Sequence, residues 1–159
     1  GHFPLLDNDQ ICHCGKTGCL ETGASGSAIH RIFTEKLREG RASLLSEKFS
    51  RGEEVSLVDI LNAVNEEDVL AIEVVEEIGT VLGRALAGLI NIFNPELVVI
   101  GGDVATVQEY LLLPVKSAIQ KHSLNIVNKD TSIKFSKLGE KAGPIGACML
   151  SRSKLLGLM

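Results

Sequence analysis

A chain of 159 residues is long enough for one domain with a sizeable core, and its 45% apolar and 23% charged residues are close to the averages of soluble globular proteins. Its formal charge of −4, with no basic cluster longer than a few residues, argues against a nucleic-acid surface on this segment. No run of about 18 apolar residues is present to cross a membrane. Aromatic residues make up only 4%, so Leu, Ile, Val and Ala must build the core. The chain opens at Gly1 without an initiator Met or a signal peptide, and reads as a fragment.

Residues 1–21 form a loop rich in Gly, Asp, Asn and Cys, without sustained periodicity. From Ser25 to Arg38, Ile29, Ile32, Phe33 and Leu37 recur at three and four residues, which predicts a helix that Gly40 stops. A short helix is expected at 44–50. Ser56, with Asp59 three residues on, forms a variant capping box ahead of Leu57, Ile60 and Leu61. The next helix is expected to run from Asn65 to Phe93. Gly79, Gly83 and Gly88 in its interior each cost about 1 kcal/mol against Ala, so other elements are expected to pack very close to them. Asn94-Pro95 ends this helix.

Leu97–Ile100 then reads as a strand buried on both faces, running into Gly101-Gly102-Asp103. Helix is expected again at 106–121, with Leu111, Leu112, Leu113, Val115 and Ile119 on its apolar side. Ile133, Phe135 and Leu138 suggest a second strand. A last helix starts near Pro144, with Cys148 as a small buried hydrophobe on it. Helices alternating with buried strands indicate an α/β domain, and two strands are too few for a complete sheet. The expected division is a loop over 1–21 and an α/β core over 22–159.

Cysteine use is lopsided: Cys12, Cys14 and Cys19 lie within eight residues, while Cys148 stands far away. A clustered trio with a nearby His reads as a metal site in a reducing cytoplasm rather than a disulfide framework. His2, Cys12, Cys14 and Cys19 follow the pattern His-x9-Cys-x-Cys-x4-Cys. Three thiolates and one imidazole suit a closed, structural Zn2+, which would shape the loop and perform no hydrolysis. His13, between two ligands, should point away from the metal into solvent.

Gly1-His2 followed by Cys12-His13-Cys14-Gly15-Lys16-Thr17-Gly18-Cys19-Leu20-Glu21 resembles the signature of the ROK family of repressors and sugar kinases. So do Asn94-Pro95 before a strand and a Gly-Gly pair, and Ala142-Gly143-Pro144-Ile145-Gly146-Ala147 at the final helix. The resemblance implies the C-terminal part of an actin-like, ribonuclease-H-like ATPase fold, truncated at its N-terminal side. It implies that His2 binds zinc through one ring nitrogen and a sugar hydroxyl through the other, and that Glu21 contacts the sugar. Gly101 and Gly102 would lie by ATP in a family kinase. The small residues of 142–147 would allow close helix-to-sheet packing.

Two functions follow from the resemblance. One is the sugar-sensing region of a repressor, closer to the NagC/XylR-type regulator branch, binding DNA through a helix-turn-helix outside this chain. The other is part of an ATP- and Mg2+-dependent hexose kinase. The segment 40–68, the tail 149–156 and Asp103 in place of a third glycine lean towards the regulator. The catalytic Asp of a kinase lies upstream of Gly-His, so the chain alone is expected to be inactive. A cytoplasmic homo-oligomer is expected in either case, with a sugar or phosphosugar as ligand. A zinc-stabilised module without a working sugar pocket is the third possibility.

Overall fold

Ser25 starts the first helix of the computed structural model, which describes residues 1–158; Met159, the last residue of the expected core, lies outside them. After the loop 1–19 and a 3-10 turn at Leu20–Thr22 come α1 (Gly26–Arg38), α2 (Ser46–Ser50), α3 (Leu57–Asn65) and α4 (Val69–Phe93). Then follow β1 (Leu97–Ile100), α5 (Gln108–His122), α6 (Asn125–Asn128), β2 (Ser132–Phe135) and α7 (Ala142–Leu155). Among the described residues, no helix is long and apolar enough to cross a membrane.

The apolar spacing read in α1 has its physical counterpart in burial. Ile29, Phe33 and Leu37 enter one cluster with Ile60 and Val64 of α3, Leu70, Val74 and Ile78 of α4, and Leu111, Val115 and Ile119 of α5. Ser25 caps α1 by accepting the Ala28 amide at 3.2 Å. The expected single helix over 65–93 begins instead at Val69. Asp68, itself buried, caps α4 by accepting the Ala71 amide at 2.8 Å, while its other oxygen accepts the Leu44 amide at 2.5 Å. Glu67 takes a left-handed φ of 62° at the break.

Both halves of the capping box at α3 are made. The Asp59 amide donates to Ser56 Oγ at 3.2 Å, and the Ser56 amide donates to Asp59 Oδ2 at 2.7 Å. Lys48 adds an ion pair to the same oxygen at 2.8 Å. These groups, Lys48 foremost, hold the Asp59 carboxyl at about 2, below its ordinary 3.8. A depressed folded-state value means that the ionised group stabilises the fold above its ordinary value, and that this is lost as pH falls towards the folded value. The thermal midpoints of wild type and Asp59→Asn should therefore differ most above about pH 4 and converge towards about pH 2. Melting both proteins across that range checks this; a constant gap would refute it.

Helices α4 and α5 pack along each other, and two glycines set the closeness of that packing. A Cβ on Gly83 would stand 2.6 Å from Val115 O, and one on Gly79 would stand 2.8 Å from Pro114 Cγ. Gly88 departs from expectation, because it is exposed and nothing lies within 4 Å of the place its Cβ would take.

β1 and β2 pair in parallel, with Leu97 opposite Ser132 and Ile100 opposite Phe135. The expectation of a strand buried on both faces does not hold for β1. Val98 and Ile100 turn to the core, while Leu97 and Val99 are exposed, because no described residue covers the second face. The same is true of α7, which has no buried residue. Cys148 is exposed rather than buried, and a Cβ added at Gly143 or Gly146 would meet nothing within 4 Å.

Candidate metal centre and ligand recesses

The loop 1–19 is drawn together by antiparallel contacts at Pro4–Cys19 and Ile11–Thr17. Leu5 and Leu6 both donate their amides to Gly18 O, at 2.8 and 2.9 Å. The glycines of the Cys-rich stretch have distinct reasons. Gly15 has φ +81° in the turn whose amide returns to Cys12 O at 2.8 Å. Gly18 has φ +73°, and a Cβ there would stand 2.5 Å from Leu6 O.

This folding gathers His2, Cys12, Cys14 and Cys19, whose ligand atoms all lie within 4.8 Å of one another. His2 Nδ1 is 3.3 Å from Cys12 Sγ, and Cys14 Sγ is 3.5 Å from Cys19 Sγ. A tetrahedron with zinc bonds of about 2.0–2.3 Å has edges of roughly 3.3–3.8 Å, so the donor set fits that ion. Soft thiolates also disfavour magnesium and calcium.

The surroundings of Cys14 and Cys19 push their thiols in opposite directions. The Cys14 thiol is shifted down, foremost by the Lys16 backbone N–H donated to it and then by Cys19. Cys19 is fully buried, and burial, followed by the neighbouring Cys14 and Cys12, pushes its thiol up to about 11. Three thiolates in so small a volume repel one another unless a cation offsets them.

Glu21 sits in the 3-10 turn directly after the last cysteine. Its amide donates to Gly1 O at 2.9 Å, and its carbonyl accepts from Ser25 Oγ at 2.7 Å. A recess of about 140 Å³ opens beside it, lined by Gln10, Cys12, His13, Thr22, Ser27, Ala28 and Arg31 among others. His13 is exposed and faces this recess. Arg31 was not singled out by the sequence. It lies one turn after Ser27 on α1, with its guanidinium donating to Thr22 O at 3.0 Å and to both oxygens of Glu35.

Gly101 and Gly102 follow β1, and Gly102 has φ +82°. They border a second recess, of about 220 Å³, with Asp103 and the apolar Leu57, Leu82 and Leu111. Ser25 and Gly26 at the start of α1 line this recess, while Ser27, Ala28 and Arg31 line the first. The opening turns of one helix thus stand between the two.

Residues 1–154 match the ROK family. A glucokinase of Halalkalibacterium halodurans is 36% identical over 155 residues, covering 97% of this chain and 47% of that protein. The crystal structure of a ROK family glucokinase from Streptomyces griseus, in complex with glucose and AMPPNP, superposes with a TM-score of 0.81 at 27% identity, covering 96% of this chain and 50% of the other. A ROK family transcriptional regulator, a homolog of the Escherichia coli MLC protein, superposes with a TM-score of 0.77 at 36% identity, covering 85% and 33%. The chain spans about half the length of the curated relatives it matches. These superpositions assign it the α/β, actin- and ribonuclease-H-type fold.

Proposed function

The chain belongs to the ROK family, and from that membership we propose that it is the C-terminal, sugar-binding portion of an ATP-dependent hexose kinase. One observation carries this reading: the recess at Glu21 and the recess at Gly101-Gly102 both border the start of α1. Phosphoryl transfer requires a sugar hydroxyl and a nucleotide phosphate to be held together, since most of the catalysis is positioning and charge stabilisation. In this reading Glu21 accepts hydrogen bonds from sugar hydroxyls. The Gly101-Gly102 backbone admits the nucleotide, with Leu57, Leu82 and Leu111 offering an apolar wall.

His2, Cys12, Cys14 and Cys19 would hold a zinc ion, which would supply orientation and charge balance rather than reactivity. His2 Nδ1 faces the sulfurs, which leaves Nε2, on the other side of the ring, to donate to a sugar hydroxyl. No aspartate of this chain is assigned the proton-accepting role.

The glucokinase relatives support the kinase over the regulator that the sequence features favoured. Segment 40–68 does not set the chain apart from kinases, because the Halalkalibacterium glucokinase aligns with 97% of it. The regulator structure at 36% identity keeps a sugar-responsive repressor as the second reading.

The test is ADP release by the intact protein with MgATP and either glucose or N-acetylglucosamine. Sugar-dependent turnover is expected, with Glu21→Gln raising KM about tenfold or more, the loss of a charge-assisted hydrogen bond. Absence of turnover with a sugar-induced rise in thermal midpoint would shift the assignment to the repressor. A sugar at one hundred times its Kd should add about 2.7 kcal/mol. Neither turnover nor any rise would leave a zinc-stabilised structural module.

A further inference from the structure

We propose that Gly1 is a positioning residue for the Glu21 carboxylate, an inference that rests on the reading of Glu21 as a sugar contact. The backbone of Glu21 is tied on both sides, by Gly1 O on its amide and by Ser25 Oγ on its carbonyl. From that fixed base the side chain lies back along the bare Cα of Gly1. A methyl group built on Gly1 would overlap Glu21 Oε2, and would stand 3.4 Å from Cδ and 3.5 Å from Cβ.

The carboxylate is the free end of a flexible side chain, so an added methyl displaces it without breaking the backbone. Gly1 cannot easily retreat from the overlap. Its neighbour His2 meets Cys12 Sγ at 3.3 Å, and Phe3 O accepts the Leu20 amide at 3.1 Å. The two residues of the Gly-His pair therefore have separate tasks. His2 supplies an imidazole to the metal cluster, and Gly1 supplies the empty volume into which the acceptor folds. Absence of a side chain at position 1 sets where the acceptor oxygens stand.

Isothermal titration of the intact protein with glucose and with N-acetylglucosamine tests this, using Gly1→Ala, Glu21→Asp, Glu21→Gln and the double variant Gly1→Ala/Glu21→Asp. Gly1→Ala should bind the preferred sugar about tenfold or more weakly, while keeping one zinc per chain and a near-wild-type thermal midpoint. Because Asp withdraws the carboxylate by one methylene, Gly1→Ala should cost clearly less in the Glu21→Asp background, a coupling that a merely structural role would not produce. Equal costs in the two backgrounds would overturn the inference, as would loss of zinc or of the fold in Gly1→Ala. Wild-type affinity in Gly1→Ala, with weakened binding in Glu21→Gln, would overturn it while leaving Glu21 as a sugar contact. Undiminished binding in Glu21→Gln, or no binding of either sugar by the wild type, would overturn that underlying reading and this inference together.

Discussion

Removing the metal from the intact protein with a strong chelator is expected to release one zinc per chain and abolish sugar binding, while the helical circular-dichroism signal stays nearly unchanged. The expectation follows from how little else holds residues 1–19. Ordering a residue costs about 1–2 kcal/mol of backbone entropy, so fixing this loop costs tens of kcal/mol. Against that stand a handful of backbone hydrogen bonds, each contributing about 1 kcal/mol net. Phe3, Leu5 and Ile11 are exposed, so the loop draws little from apolar burial. A structural zinc contributes about 10–16 kcal/mol in zinc-finger peptides, more than those hydrogen bonds together.

The main core lies elsewhere, in α1, α3, α4 and α5 with Val98 and Ile100 of β1, and it includes no residue of the loop. Cys19→Ser should reproduce chelation, since it removes a fully buried ligand. Elemental analysis, sugar titration and circular dichroism of the treated and mutant proteins check the result. A chain that carries no metal as purified and still binds sugar would refute the metal site. Collapse of the helical signal on chelation would instead show that the metal holds the whole domain.

What was legible in the sequence is what depends on near neighbours. The helix of α1 follows from Ile29, Phe33 and Leu37, its cap from Ser25, and the start of α3 from Ser56 and Asp59, because each signal and its partner lie within a turn or two. The three cysteines announce a metal by their spacing and His2 completes a tetrahedral donor set, while the sugar contact of His2 and Glu21 is implied only by the family signature. The break at Asp68 was not legible. In the run Glu66-Glu67-Asp68 the carboxylate looks solvated, and beside the local Ala71 amide its burial depends on the Leu44 amide, 24 residues away. Burial of β1 and α7 was misjudged for a related reason. A run such as Leu97–Ile100 or an apolar helix shows that a surface needs covering, not that the covering residues belong to the same stretch of chain. Arg31 and His13 came to the recess through the folding of the loop against α1, a relation that no periodicity encodes.

The glycines of α4 offer a test in which one helix carries both the prediction and its control. Gly83→Ala should destabilise the protein by about 1–3 kcal/mol, the usual cost of overpacking, despite the gain of about 1 kcal/mol in helix propensity. The methyl would meet Val115 O at 2.6 Å, Ala118 Cβ at 2.7 Å and Val115 Cα at 3.0 Å. Two of these are backbone atoms of α5, so no rotamer change relieves the clash and the helices must separate. Separation would loosen the packing of α4 on α5, both of which supply residues to the main core. Gly88→Ala adds the same methyl to the same helix where nothing lies within 4 Å, so it keeps the propensity gain and should stabilise by up to about 1 kcal/mol. At about 2–4 °C per kcal/mol for a domain of this size, the two variants should melt on opposite sides of wild type. If both raised the midpoint, the closeness of α4 and α5 at Gly83 would not be required by the packing, and the glycine there would need another explanation.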